Sequence, residues 1–428
     1  MSSLRTFADR LVDSYLPPSR DGRIFATTVV IHSAGTGLYL AGGTVYFLRG
    51  IGLSAAQVGI GLTVAGLIGF FTTVPVSMLG NRFGALRMLR MLQVWRAVWF
   101  TALAFADNAV TFILFASLLA MAQGPTTPMT QMVVGTIADE ADRTKTFAVM
   151  RSVSNVGFTL GALAAAPLLT VGNTWTFRAI LLLDALSFLF AAGLLGRLRI
   201  RTGAPESKRA PWRQGALAVF RNRSYAALTV TNGVLFLHTT LLSIGLPLWV
   251  IQNTEAPAGL LGVLLTINTV LAITLQVHLA KRVKTSRDGT RALRNTGLVL
   301  AACCAVLATT AGLGGRAAVP LLILAVVLLT LGELWQAVGS WELSYRHAPE
   351  EERAAYLSVF SLGGSAVGIV GPALLALVVA GGTAGLLGLT AVFLVAAGAV
   401  TAIGSALERA EAAPVTLGGE QQAAKTGN

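Results

Sequence analysis

Twelve apolar stretches, most of them about as long as a membrane-crossing helix, fill most of this 428-residue chain, and basic residues mark every second gap between them. A helix needs about 20 mostly apolar residues to cross hydrocarbon, where only internal hydrogen bonding satisfies its backbone. The stretches are residues 24–48, 54–78, 91–107, 109–134, 152–171, 179–196, 224–251, 257–280, 295–313, 317–343, 354–380 and 383–407. Of the 32 Lys and Arg residues, 28 lie before the first stretch, in alternate gaps or in the tail. Arg49, Arg178 and Arg316 occupy the opposite gaps, and Arg96 lies inside the third stretch. Loops rich in Lys and Arg resist translocation. The asymmetry therefore predicts an all-α, multi-pass protein of the cell membrane with both termini in the cytoplasm.

Composition agrees: 54% of residues are hydrophobic and 12% charged, which describes a chain solvated mainly by lipid. The net charge of +13 is spread over loops rather than gathered on one basic face, so it marks topology and contact with anionic lipid, not nucleic acid. Cys303 and Cys304 are adjacent within an apolar stretch, which gives neither a disulfide framework nor a spaced metal site. No metal or cofactor is expected.

The longest interruption, residues 197–223, carries eight basic residues and separates two sets of six stretches. The organisation expected is a cytoplasmic segment at 1–23, a six-helix bundle at 24–196, a basic linker at 197–223, a second six-helix bundle at 224–407 and a disordered tail at 408–428. Residues 1–23 are polar and unlike a cleavable signal peptide. Leu4, Phe7, Leu11 and Tyr15 fit either a helix lying on the inner leaflet or a flexible segment, and Trp212, Ala216, Val219 and Phe220 predict an interfacial helix in the linker. The halves also resemble each other. Ala138-Asp139-Glu140-Ala141-Asp142-Arg143 matches Ala348-Pro349-Glu350-Glu351-Glu352-Arg353 at an offset of 210, and Gly161 matches Gly371 at the same offset. Internal repetition of this kind is a mark of repeat-built transporters.

Six plus six stretches, cytoplasmic ends and a long basic central loop resemble the major facilitator superfamily, over roughly residues 20–408. That family's loop after the second span reads Gly-x-x-x-Asp-Arg-x-Gly-Arg-Arg; here Gly80-Asn81-Arg82-Phe83-Gly84 keeps Asn-Arg-x-Gly, with Asn81 in place of aspartate. The resemblance implies two pseudo-symmetric six-helix bundles and a cytoplasmic gate containing Asn81, Arg82, Gly84, Asp139, Arg143 and Arg353. An arginine at such a helix end can latch onto carboxylates, and the candidates are Asp139, Glu140 and Asp142. The alternative role of Arg82 is a topology anchor. The proton-antiporter elements of the family are reduced: Ala120-Met121-Ala122-Gln123-Gly124 lacks the arginine of Arg-x-x-Gln-Gly, and Gly157-Phe158-Thr159-Leu160-Gly161-Ala162 lacks the terminal Gly-Pro.

Ionisable residues inside a span cost about 2.5–3.5 kcal/mol on insertion scales, so each invites a function and a partner. In the family fold the first, fourth, seventh and tenth spans line the cavity. That placement makes Glu333 the foremost candidate for coupling or substrate binding, with a structural hydrogen bond as the alternative. His32, His238, Tyr39, Gln123, Asn232, Trp335 and Gln336 join it as cavity residues, with Thr36, Thr127, Gln131, Thr239 and Ser340 around them. Trp335 and Tyr39 could offer aromatic faces to a cation. Arg96 and Asp184 belong to outer spans and are expected to form a structural intramembrane pair, although Asp184 counts about seven residues deeper; alternatively Arg96 snorkels to the interface. Arg151 and Asn155 are assigned to helix contacts and gating.

The resulting expectation is a secondary active transporter, not an enzyme, that moves a small apolar or amphipathic molecule by alternating access, with a proton or another ion as candidate coupling partner. Export is preferred because the cavity spans hold little fixed charge. Uptake of a nutrient or metabolite is the alternative, and a receptor, sensor or channel the alternative of another class. The chain is expected to act as a monomer.

Overall fold

In a computed structural model, residues 19–138, 142–198, 219, 221–257 and 260–412 are described. The expected N-terminal and linker helices and the tail beyond 412 lie outside the described residues. Twelve helices follow one another: α1 (Arg20–Val45), α2 (Ala55–Phe83), α3 (Ala85–Leu103), α4 (Ala109–Ile137), α5 (Arg143–Val171), α6 (Thr174–Leu195), α7 (Arg223–Phe236, continuing irregularly to Asn253), α8 (Leu260–Ala280), α9 (Ser286–Thr309), α10 (Gly315–Arg346), α11 (Arg353–Ala380) and α12 (Gly382–Ala412).

Eleven of them are long and apolar enough to cross a membrane. The twelfth, α3, carries Arg87, Arg90 and Arg96 within nineteen residues. It starts at Ala85, six residues before the expected stretch, because Gly84 takes φ +82° and turns the chain directly from α2 into α3. Only glycine enters that region without steric cost, which is the physical reason for the last glycine of the Asn-Arg-x-Gly motif. α5 likewise starts nine residues early, at Arg143, so the basic residues up to Arg151 are helical. α12 runs on past 407 to Ala412.

The packing repeats between halves. In the first, α1 packs on α5 and α6, α2 on α4, and α3 on α4 and α6; in the second, α7 packs on α11 and α12, α8 on α10, and α9 on α10 and α12. These are two pseudo-symmetric six-helix bundles. Glycine permits the closest approaches: a Cβ at Gly157 would meet the Val30 carbonyl oxygen at 2.7 Å, and one at Gly371 would meet Thr240 Oγ1 at 2.7 Å. Gly161 lies equally close on Ala34. The glycines matched at an offset of 210 thus serve the equivalent α1–α5 and α7–α11 contacts.

Between the bundles, α2 and α4 meet α11, while α5 meets α8 and α10. The buried apolar clusters that join the bundles lie toward one side, the one carrying the basic loops. There Ala148 and Val149 of α5 share an apolar cluster with Val277, Ala280 and Val338, and Ala354 and Trp341 pack among Phe25, Met129 and Phe147. The cluster at the other end of the first bundle, around Tyr46, Phe100, Phe112 and Phe188, takes no residue from the second. Among the described residues, the buried apolar clusters that bridge the bundles lie on the basic side, and the cluster at the opposite end of the first bundle belongs to that bundle alone.

Candidate functional site

A cavity of about 500 Å³ lies where α2, α4 and α11 approach one another. Gly66, Gly69, Gly124 and Gly368 leave room along its walls, Phe70, Ile369 and Pro372 supply apolar surface, and Thr63, Thr73, Gln123 and Ser365 supply its polar groups. Among the described residues, no charged side chain lines it. Of the eight residues expected to form a cavity, Gln123 lines this one.

The others sit elsewhere, each for a packing reason. Tyr39 packs edge-on against Phe100 at 5.0 Å and Phe47 at 6.4 Å, inside the first bundle. His32 stacks on Phe188 of α6 at 6.1 Å. Trp335 packs beside the apolar cluster shared by α5, α8 and α10. Asn232 accepts a hydrogen bond from Gln336 Nε2 at 2.9 Å, joining α7 to α10 in a buried pair. His238 stands where α7 is broken, between Phe236 and a π-helical turn at Leu241–Gly245, with its Nδ1 2.9 Å from the Leu235 carbonyl oxygen. Broken helices at midplane are a recurrent way of exposing backbone polarity to a transport pathway.

Glu333 belongs to the seam between bundles. One carboxylate oxygen is paired with the Arg151 guanidinium of α5. The other accepts from Asn268 Nδ2 of α8 at 3.0 Å, and that amide also reaches Thr330 Oγ1 at 3.0 Å. His238 lies within electrostatic reach of both charges. An ion pair with both carboxylate oxygens engaged can persist at this depth, whereas an unpaired charge could not.

Nearer the basic side, a second polar link joins the same two helices. Glu342, 1% exposed, accepts from Thr144 Oγ1 at 2.6 Å and from Arg346 Nε at 2.7 Å. Beside it stands Tyr345, whose ring lies under two guanidinium groups: Arg143 at 4.1 Å and Arg353 at 4.5 Å. Arg353 also donates to the Tyr345 hydroxyl at 3.4 Å. The two arginines are the repeat-matched pair, and Tyr345 is offset by 210 from Gly135. The phenol lies against Gly135, where any side chain would collide with it. The pseudo-two-fold therefore places equivalent helix ends face to face, and glycine on one leaves space for tyrosine on the other.

Arg82 is exposed, and among the described residues its ring contact is with the neighbouring Phe83, at 5.5 Å. Asp142 is exposed and forms no ion pair with it among those residues. Asp139, Glu140 and the Asn81 side chain lie outside the described residues. Arg96 and Asp184 come close without forming the expected pair. Arg96 stands eleven residues from Ala85 and Asp184 eleven from Leu195, so the depth mismatch disappears once α3 starts at Ala85. Each feels the other electrostatically, yet no nitrogen of Arg96 comes within 4 Å of the carboxylate, because the guanidinium lies on the Phe188 ring at 3.9 Å. The arginine is buried there, not snorkelled.

Asn268, Glu342 and Tyr345 are site residues that spacing did not single out; Arg151 was assigned to helix contacts and gating, without Glu333 as its partner. Of the three, only Tyr345 left a trace, as the partner of Gly135 under the 210-residue offset.

The model of the Major Facilitator Superfamily matches residues 24–372. The chain is 23% identical over 333 residues to the uncharacterized MFS-type transporter YdeE of Escherichia coli, covering 77% of this chain and 81% of that protein. It is 24% identical over 242 residues to the multidrug resistance protein MdtH of Yersinia enterocolitica, covering 56% of this chain but only 58% of that relative. Among solved structures, an outward-facing bacterial homologue of the iron transporter ferroportin superposes with a TM-score of 0.72 at 14% identity, over 91% of this chain and 100% of that one. The transporter FucP in its outward conformation gives 0.71 at 14% identity, over 91% and 99%. With its twelve-helix, two-bundle fold and a family match over most of its length, this chain is a multi-pass membrane protein that belongs to the Major Facilitator Superfamily.

Proposed function

We propose that this protein is a secondary active exporter of small, uncharged or weakly polar molecules, driven by proton movement through Glu333. The observation that carries the reading is the contrast between a cavity lined without charge at α2, α4 and α11 and an ionic seam that joins α5, α8 and α10. A cavity lined by glycine, apolar surface and a few hydroxyl and amide groups gives little purchase to a sugar phosphate or dicarboxylate. It suits an amphipathic compound bound by area and one or two hydrogen bonds. The likeness to a multidrug resistance protein supports export in the same direction.

The basic side is the cytoplasmic side by the distribution of Lys and Arg, which puts the termini in the cytoplasm of a cell that carries this protein in its plasma membrane. The state described is then outward-facing. To open inward, α5 must leave α8 and α10, and the Arg151–Glu333 pair must break. A proton on Glu333 would weaken that pair, so proton binding and inward opening are linked through one contact. The protein works as a monomer, each half rocking about the seam.

The test is transport of a compound panel by protein in liposomes, with and without an imposed pH gradient. Gradient-dependent movement of apolar or amphipathic compounds out of the cytoplasmic compartment is expected, and Glu333→Gln should uncouple it. Flux in Glu333→Gln that still follows the gradient would remove Glu333 from the coupling. Gradient-driven entry of a charged nutrient would favour uptake instead.

A further inference from the structure

We infer that the buried cluster around Asp184, inside the first bundle and apart from both cavity and seam, is a second proton-binding site. The inference rests on the arrangement of that cluster and not on the transport reading. Asp184 is 0% exposed on α6. Gly35 of α1 lies so close to it and to Ser187 that a side chain at 35 would occupy the same space. The Ser187 hydroxyl donates to the Asp184 backbone oxygen at 2.7 Å and only approaches Oδ1 at 3.3 Å. Oδ2 has no hydrogen-bond partner.

The nearest cation does not make up the difference. Arg96 is committed to the face of Phe188, its Nε is also without a partner, and one turn earlier on α3 so is Gln93 Oε1. Three unmet polar atoms on three side chains, each at least nine-tenths buried, mark a place where the molecule handles polarity rather than excluding it. A full carboxylate charge in such surroundings needs a touching counter-charge and filled lone pairs, and neither is present. A proton taken from water onto Oδ2 forms one O–H bond, cancels the charge and turns the free acceptor into a donor. Release returns that proton to water and changes no other bond.

The groups facing Asp184 are few. Tyr39 of α1 and Arg96 of α3 are within electrostatic reach, and His32 of α1 is within reach of Arg96. His32 is half-buried and stacks on Phe188, the ring that also carries the Arg96 guanidinium. α5 brings no titratable side chain outward of Arg151, which is held by Glu333. Tyr46 and Arg49 lie at the outer end of α1, where the Tyr46 hydroxyl donates to the Ala104 carbonyl at 2.7 Å. Arg178, on α6 itself, lies toward its outer end over Trp175 and Phe105.

The test is pH-difference infrared spectroscopy on the purified full-length protein in liposomes, with no substrate present. Wild type should gain a protonated-carboxyl C=O band as pH is lowered stepwise from alkaline to acid. One component of it should be absent in Asp184→Asn and intact in Glu333→Gln. A folded Asp184→Asn protein with the wild-type difference spectrum, or a wild type with no such band, overturns the proposal. Should Asp184→Asn fail to fold, Asp184→Glu decides: the component must shift, and an unshifted component overturns the site. Failure of the transport reading would appear in the flux assay and leave this band in place.

Discussion

Two carboxylates deep in the membrane-spanning part of this protein, Glu333 part-buried and Asp184 fully buried, are treated in opposite ways. Glu333, between bundles, has each oxygen engaged, one by Arg151 from across the seam and one by Asn268. Asp184, within one bundle, has an arginine nearby that stacks on a ring instead and an oxygen with no partner. The difference follows from what each location must do. In the proposed transport cycle a contact between bundles has to hold one state and then break, and the Arg151–Glu333 attraction is one that a single proton would cancel. A contact inside a bundle moves with it and need not break. Its polarity can serve a proton without altering which helices touch.

The largest effect expected from breaking this comparison is at Arg151. Arg151→Ala leaves the part-buried Glu333 carboxylate without its counter-charge, held by Asn268 alone; removing one partner of a fully buried pair costs about 3–5 kcal/mol, and the residual exposure of this one sets the expected loss below that range. Thermal unfolding in detergent should show a strong drop, largely reversed in Arg151→Ala/Glu333→Gln, where no lone charge remains. Overpacking comes next. Gly161→Leu and Gly371→Leu should each destabilise the protein by about 1–3 kcal/mol through equivalent helix pairs, α1–α5 and α7–α11. Unequal losses at these two positions would argue against equivalent roles.

A smaller effect is expected at Tyr345. Tyr345→Ala removes two cation–π contacts at the seam, each worth about 0.5–2 kcal/mol, and so favours the state open on the basic side. A single cysteine on the facing end of α4, in a background lacking Cys303 and Cys304, should react faster with an impermeant maleimide added to that side. Arg96→Lys should do least. It keeps the charge and loses the stacking geometry on Phe188, for about 1 kcal/mol of stability. The same maleimide reaction should be unchanged, because Arg96 lies within one bundle.

Much of the fold was legible because hydrocarbon imposes a length on every span, and twelve apolar runs with alternating basic gaps satisfy it in one way. The helices that start ahead of their apolar stretches share a cause. Arg87 and Arg90 in α3, and Arg143, Lys145 and Arg151 in α5, interrupt the apolar pattern without interrupting the helix, so composition marked the hydrocarbon and not the hydrogen bonding. Glu333 stood out because a charge in an apolar run is conspicuous. Its pairing did not, since Arg151 is 182 residues away in sequence and Asn268 is 65. Tyr39 and His32 were assigned to a cavity because the family places their helix there, but a helix has two sides, and packing against Phe100 and Phe188 decided which one they face. The 210-residue offset carried the most physical information for its length. It paired Arg143 with Arg353 and Gly161 with Gly371, and the same offset sets Gly135 opposite Tyr345.

The central claim is that the Arg151–Glu333 pair holds the basic side closed. Spin labels on the basic ends of α5 and α10, with their separation measured by pulsed electron resonance in liposomes, test it most directly. Glu333→Gln should move the population from a short distance to a longer one at neutral pH, and lowering the pH should move wild type the same way. A distance distribution that stays short in Glu333→Gln and in wild type at every pH would contradict the account.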